Sequence, residues 1–470
     1  MSIINFDFMN FILNPFILLF ITAGLGLLFG KIQFGKFNFG SSGALFVGLL
    51  VGWGAYTLAQ NIYETGDENA AGMSAAAQIM ESNGGNVINT LFFSASLIIF
   101  VATVGLLAAK DLKAIIKKYG PKFIILGFLI TLVGAGGTYL STAIVKDTNP
   151  FAVTGVYTGA MTSSPGLAAS LEAAEDRADD MAQNYPQLSQ EEKEVVVSVL
   201  KTDSKYADLN AGELTELTAQ QQTDFVNSAV SQVGIGSAVA YPFGVIIVIL
   251  AVNFLNVIFK FDLDEEKRRY KIEIEEARSV SGIREIPTTD FSIASFVLVC
   301  LVGYLIGSIR IYMGPLGYVS LESTGGVLIG SLLLGYIGKI GPISFRMDPK
   351  TLVMLREFGL TFFLSIVGLN YGYGAIDAVI HSGVILALES LIVGAIAIMA
   401  GFIVGRYVFK LNWIVLSGAI CGGMTSTPGL GAATDACGSD DPASGYGATY
   451  PFALFGMVVF TIVLMKLPLL

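Results

Sequence analysis

A chain of 470 residues that is 53% hydrophobic and only 14% charged, with mean hydropathy +0.68, lies far from the roughly 25% charged content of soluble domains. That balance excludes an ordinary soluble enzyme and points to a lipid environment. The formal net charge of -10 comes from acids gathered in a few hydrophilic segments and gives no sign of a nucleic-acid partner.

Met1 to Asn14 carries Asp7 and no Lys or Arg before an apolar run, the wrong polarity for a signal peptide, so the first helix is expected to be retained. Apolar stretches near the roughly 20 residues needed to cross a bilayer fall at 14–30, 41–60, 88–109, 121–145 and 229–258. A second series falls at 291–311, 321–340, 352–371, 382–405 and 446–467. Between the fourth and fifth members of each series lies a shorter segment containing Gly and Pro, 150–170 and 412–434, which reads as a re-entrant hairpin. The expected fold is an all-α, inverted-repeat membrane transporter with about five crossings and one hairpin per half, of the elevator type. Residues 1–258 form the first repeat, 259–290 a cytoplasmic linker and 291–470 the second repeat.

Orientation follows from the basic residues of the short loops. Lys31 and Lys36, then Lys110 to Lys122, Lys260 to Arg284, Arg346, Lys350, Arg406 and Lys410 all fall inside if both hairpins are re-entrant. Lys466 disagrees. The acidic loop 61–85 and the acidic insert 171–226 then face outside, as do both termini of a multi-pass inner-membrane protein. The insert reads as a solvated external cap with exposed helices, or as a partner surface.

The chain repeats itself. Gly159-Ala-Met-Thr-Ser-Ser-Pro-Gly-Leu-Ala-Ala-Ser170 aligns without gaps on Gly422-Gly-Met-Thr-Ser-Thr-Pro-Gly-Leu-Gly-Ala-Ala433, and the acids Glu172 and Asp435 follow at the same distance. Gly43 to Gly48 matches Gly325 to Gly330, Leu91 to Ser96 matches Thr361 to Ile366, and Tyr241-Pro242-Phe243 matches Tyr450-Pro451-Phe452. Four collinear matches argue against coincidence.

The motif suits a binding site. Pro165 and Pro428 remove a backbone donor, Gly166 and Gly429 permit unusual dihedrals, and Thr162, Ser163, Ser164, Thr425, Ser426 and Thr427 supply hydroxyls and helix caps. Exposed amides at such a break suit a carboxylate, and freed carbonyls a small cation. Tyr241 and Tyr450, beside kink-forming prolines, are substrate contacts or packing elements. Arg356 either binds a carboxylate bidentately or pairs with an acid or the interface; it aligns with Asn86. Glu389 is a protonation site or a structural partner, and Glu172 and Asp435 are hairpin-end residues or coupling groups. His381 is expected at the external interface. Cys300, Cys421 and Cys437 are too few and too scattered for a disulfide framework or a metal site. No catalytic constellation is visible, so the chain is read as no enzyme, without a cofactor beyond a coupling sodium ion or proton.

The motif Gly-Gly-Met-Thr-Ser-Thr-Pro-Gly-Leu430, taken with Leu355-Arg-Glu-Phe-Gly-Leu-Thr-Phe-Phe-Leu-Ser-Ile-Val-Gly-Leu369, resembles the aspartate:alanine exchanger family of bacterial secondary transporters. The resemblance implies exchange or export of small carboxylates such as aspartate, alanine or succinate, with the two hairpins, Thr162 to Gly166 and Thr425 to Gly429, near the substrate. Many members carry a pair of regulatory domains between the halves, and here 259–290 occupies that place. The expected carrier is a homodimer in membrane lipid that works by alternating access. Sodium-coupled carboxylate symport is the alternative, and a channel is disfavoured because no ring of like charges or carbonyl filter repeats.

Overall fold

The structure is a computed structural model that describes residues 7–32, 39–83, 85–109, 112–143, 150–202, 204–212, 214–281, 287–312, 318–319, 321–380 and 384–467. His381 lies outside the described residues, as do Lys36, Lys110 and Arg284.

The first half opens with α1 (Phe8–Ile12) and α2 (Pro15–Gly30), separated by Asn14, whose side chain caps the amide of Phe16 while Pro15 pre-sets the first turn. There follow α3 (Gly43–Tyr63), the short α4 (Met73–Ala77), α5 (Thr90–Ala108) and α6 (Leu112–Ser141). The first interrupted segment gives α7 (Pro150–Ala160) and α8 (Ser164–Gln183); α9 (Gln190–Leu200) lies in the insert, and α10 (Ala219–Ile258) returns through the bundle. After α11 (Leu263–Ser281), the second half runs α12 (Ile293–Ser308), α13 (Glu322–Ile337), α14 (Pro349–Ile380) and α15 (Val384–Ile403). Its interrupted segment gives α16 (Trp413–Gly423) and α17 (Thr427–Cys437), before α18 (Pro442–Lys466). Among the described residues seven helices are long and apolar enough to cross a membrane, and α2, α12, α13 and α16 are shorter apolar helices. The chain is an all-α, multi-pass integral membrane protein.

Packing sorts the helices into two groups, each built from both halves. In the first, α3 lies along α14 and α13 along α5, with α2 on α3 and α12 on α13. In the second, α7 lies along α10 and α16 along α18, while α6 packs on α18 and α15, and α10 on α15. Small residues permit the first crossing: a Cβ on Gly372 would stand 2.2 Å from the carbonyl oxygen of Leu49. Backbone cannot rotate away, so Gly372→Val is expected to abolish recovery of monodisperse protein from membranes. Gly374→Val, where a Cβ meets nothing within 4 Å, should leave the yield unchanged.

Three boundaries differ from expectation. Residue 170 is no boundary, because α8 runs unbroken from the motif to Gln183; Ala and Glu favour helix and no Gly or Pro intervenes after Gly166. The insert 171–226 is not merely a set of exposed helices. Ala178, Met181, Tyr185, Val196, Leu200 and Phe225 bury one another against Phe151 and Met465, so it packs as a small subdomain on the bundle. Its last turn is the start of α10, whose Thr218–Gln221 capping box begins the helix ten residues before 229. The linker 259–290, finally, holds a 19-residue helix.

The basic loops meet at one end of the molecule. There Lys118 pairs with Glu273 of α11 at 3.8 Å, Lys122 donates to the carbonyl of Phe409 at 2.9 Å, and Arg406 pairs with Glu266. At the acidic end, Asp7 accepts from the amide of Gly72 at 3.1 Å and Met465 joins the insert's core.

Candidate functional site

Each interrupted helix stops in the same way. The amide of Thr162 donates to the carbonyl of Gly159 at 2.9 Å and that of Ser163 to Thr158 at 2.9 Å. In the second copy Thr425 donates to Gly422 at 3.1 Å and Ser426 to Cys421 at 2.8 Å. This pair of bonds defines a Schellman C-terminus, which places its C′ residue in the left-handed region. Glycine is usual there, yet here Thr162 has φ +52° and Thr425 φ +50°. A β-branched residue in that conformation costs on the order of 1–3 kcal/mol and persists only where its surroundings hold it.

What holds them is a crossed pair of hydrogen bonds between the two halves. Thr162 Oγ1 donates to the carbonyl of Met424 at 3.0 Å, and Thr425 Oγ1 donates to the carbonyl of Met161 at 3.0 Å. Each threonine thus satisfies a carbonyl that the other broken helix leaves open. One residue on, Ser163 Oγ accepts from the amide of Gly166 at 3.1 Å and Ser426 Oγ from Gly429 at 3.2 Å, starting α8 and α17 with proline at the second helical position. Thr162, Ser163, Thr425, Ser426 and Thr427 are all buried, as are α16 over its whole length and every residue of α7 except Ala152.

The equivalence extends outward. A Cβ on Gly159 would stand 2.5 Å from the carbonyl oxygen of Ser237, and one on Gly422 2.7 Å from that of Tyr446. Ser237 and Tyr446 are themselves four residues before the aligned Tyr241 and Tyr450. The halves differ in what lines the crossing. Tyr446 brings its hydroxyl to 3.3 Å from Thr427 Oγ1 and stacks on Tyr450 at 5.4 Å, whereas Tyr241 packs at a tilt against Tyr371 of α14, with ring centroids 4.9 Å apart. Tyr446 and Tyr371 were not singled out in the sequence; the i, i+4 spacing of Tyr446 and Tyr450 on one helix face was the available signal.

The other candidates lie elsewhere. Arg356, in the third turn of α14, pairs with Asp440 and stands 3.5 Å from Glu357. Asp440 follows α17, whose ten-residue rise separates it from the Thr425 turn by about 15 Å, so the structure does not bring Arg356 to the motif. Its aligned residue Asn86 precedes α5 and donates to the carbonyl of Asn83 at 3.0 Å. Asp435, near the end of α17, accepts from the amide of Ser41 at 3.0 Å, while Glu172 is exposed on α8. Glu389 is buried on α15 and accepts from Ser141 at the end of α6.

Comparison with known proteins fits this arrangement. A family described as a predicted permease membrane region matches residues 71–257 and 295–466, one segment in each half. The chain belongs to that family. An uncharacterized transporter of Bacteroides thetaiotaomicron is 34% identical over 180 residues, 38% of this chain and 34% of that protein. One of Rhodopirellula baltica is 34% identical over 173 residues, 37% of this chain and 32% of that protein. A putative transport protein of Serratia proteamaculans is 28% identical over 267 residues, 55% of this chain and 45% of its own length. The matched stretch thus spans from about a third to under a half of these relatives. Both family segments contain one broken helix, so the crossed turns join the two permease segments.

Proposed function

We propose that this permease is a secondary active transporter that exchanges small carboxylates, an acidic amino acid or dicarboxylate such as aspartate against alanine, or succinate, across the bacterial inner membrane. The observation that carries the reading is the crossing of Thr162 and Thr425, where two broken helices meet inside the protein. Irregular backbone at such depth is tolerated only where it is buried or lines a cavity, and in transporters it forms the substrate site. The N-termini of α8 and α17 both start there. Pro165 and Pro428 carry no N–H and the serine caps take Gly166 and Gly429. The amides of Ser164 and Thr427 are then the first-turn donors for a carboxylate, assisted by both helix dipoles.

In this reading both broken helices are re-entrant, one from each side. The group containing α6 to α8, α10 and α15 to α18 moves against a scaffold of α2, α3, α5 and α12 to α14, within a homodimer. The basic end faces the cytoplasm and the acidic end outside. The relatives' names, as transporters and transport proteins, support transport in general; the choice of carboxylate rests on the helix N-termini and on the likeness to aspartate:alanine exchangers. Purified protein in liposomes loaded with aspartate, alanine or succinate should take up the labelled substrate faster than empty vesicles, without added sodium. Uptake that is indifferent to internal substrate but requires external sodium would replace exchange by symport, and no stabilisation by any carboxylate in a thermal-shift screen would remove the substrate class.

A further inference from the structure

At the basic end the second broken helix is tied to the other helix group at two points. Asp435 Oδ2 accepts from the amide of Ser41, in the turn that opens α3, and Asp440, just beyond α17, pairs with the buried Arg356 of α14. Both anchors belong to one body, since α3 lies along α14. A carboxylate at the start of a helix and a charge-assisted pair with arginine are each favoured electrostatically. Beside them a cavity of about 300 Å³ runs between the groups, lined by Leu27, Gly30 and Lys31 on one side and Asn253, Asp435 and Ala436 on the other. Among the described residues the first half shows no counterpart: Glu172 is exposed on a helix that continues into the insert.

We propose that Asp435 and Asp440 form a two-point latch that holds the moving group against the scaffold at the basic end, and that the latch must open for the cavity to widen towards the substrate. The inference rests on the transport reading for its purpose but not for its geometry. A carrier whose two broken helices are equivalent needs some asymmetry to bias one conformation, and a bond present in only one of the two conformations shifts that equilibrium. The one-sided carboxylates supply it.

The test uses the full chain with Cys300, Cys421 and Cys437 replaced by alanine and a reporter Ala436→Cys, in membrane vesicles of both orientations. Alkylation of the reporter by a membrane-impermeant maleimide should rise by about fivefold or more in Arg356→Gln and in Asp440→Asn, as expected when a minor open state gains population. It should return to the parent rate in the charge-swapped pair Arg356→Asp with Asp440→Arg. Parent-like rates in the single variants, or a swapped pair that reacts as fast as they do, overturn the latch. Should the charge variants not fold, a second measurement decides. The Cβ position of Gly40 lies 3.7 Å from that of Asp435, within disulfide range, so oxidised Gly40→Cys with Asp435→Cys should stop counterflow until reductant is added. Exchange that persists in the cross-linked protein overturns the proposal. Altered labelling in a protein that exchanges no carboxylate keeps the latch and removes the substrate reading instead.

Discussion

Thr425→Val is expected to lower stability by about 2–3 kcal/mol and to remove exchange in proteoliposomes. Valine has the shape of threonine and meets the same conformational cost at φ +50°, so the substitution isolates the hydroxyl. Its loss breaks a buried hydrogen bond and leaves the carbonyl of Met161 without its donor from Thr425; an unsatisfied buried acceptor costs about 1–3 kcal/mol beyond the bond itself. Thr425→Ser keeps the donor and should remain close to the parent. Thr425→Gly should fall between them, because relief of the left-handed conformation returns about 1–2 kcal/mol against the same lost bond. The order serine, glycine, valine in thermal midpoint is the signature, and a valine variant as stable as the serine variant would sink the account.

The partner bond makes the prediction sharper. Thr162→Val removes the donor to Met424, and either loss loosens the interface on which the other bond depends. The double valine variant should therefore cost less than the sum of the single ones, with a coupling of about 0.5–3 kcal/mol. Additivity would mean that each threonine serves only its own turn.

The sequence makes the two turns legible because they repeat, and a repeat survives errors in hydropathy. Pro and Gly announce a break, and Ser before Pro announces the next helix. The sequence does not announce that Thr162 and Thr425 cross, since their partners are more than 260 positions away. Alignment misleads at the acids for a local reason: α17 stops at Gly438, which has φ +54°, while α8 meets no such residue and continues. Glu172 and Asp435 share a register and occupy different surroundings. Arg356 shows the same limit, because its partner Asp440 lies 84 positions away and carries no motif. In the linker the high charge hid a helix whose Tyr270 and Ile274, one turn apart, are buried against the bundle.

That helix carries the second large effect. Glu266→Ala is expected to cost about 3–5 kcal/mol, the range for breaking a buried ion pair by removing one partner. Glu266 is 5% exposed. Its carboxylate accepts from Arg406 at 2.7 Å and 3.1 Å and from the amide of Trp413 at 2.8 Å, and its carbonyl accepts from Asn412 Nδ2 at 2.8 Å. Arg406 also lies over the ring of Phe261, 4.5 Å from its centroid. Alanine leaves the guanidinium, among the described residues, with the carbonyl of Leu411 at 3.1 Å and the Phe261 ring, and uncovers the start of α16. Removing both charges, as Glu266→Met with Arg406→Met, should destabilise less than Glu266→Ala alone, because apolar side chains of similar volume often replace a buried pair at little cost. The reverse order would show that the carboxylate acts mainly as the cap of α16. Because α16 is one rigid 11-residue helix from Trp413 to Gly423, displacement at Glu266 reaches the Met424 carbonyl that Thr162 binds. Glu266→Ala combined with Thr162→Val should accordingly cost less than the two separately, and strict additivity in chemical unfolding would disconnect α11 from the crossed turns.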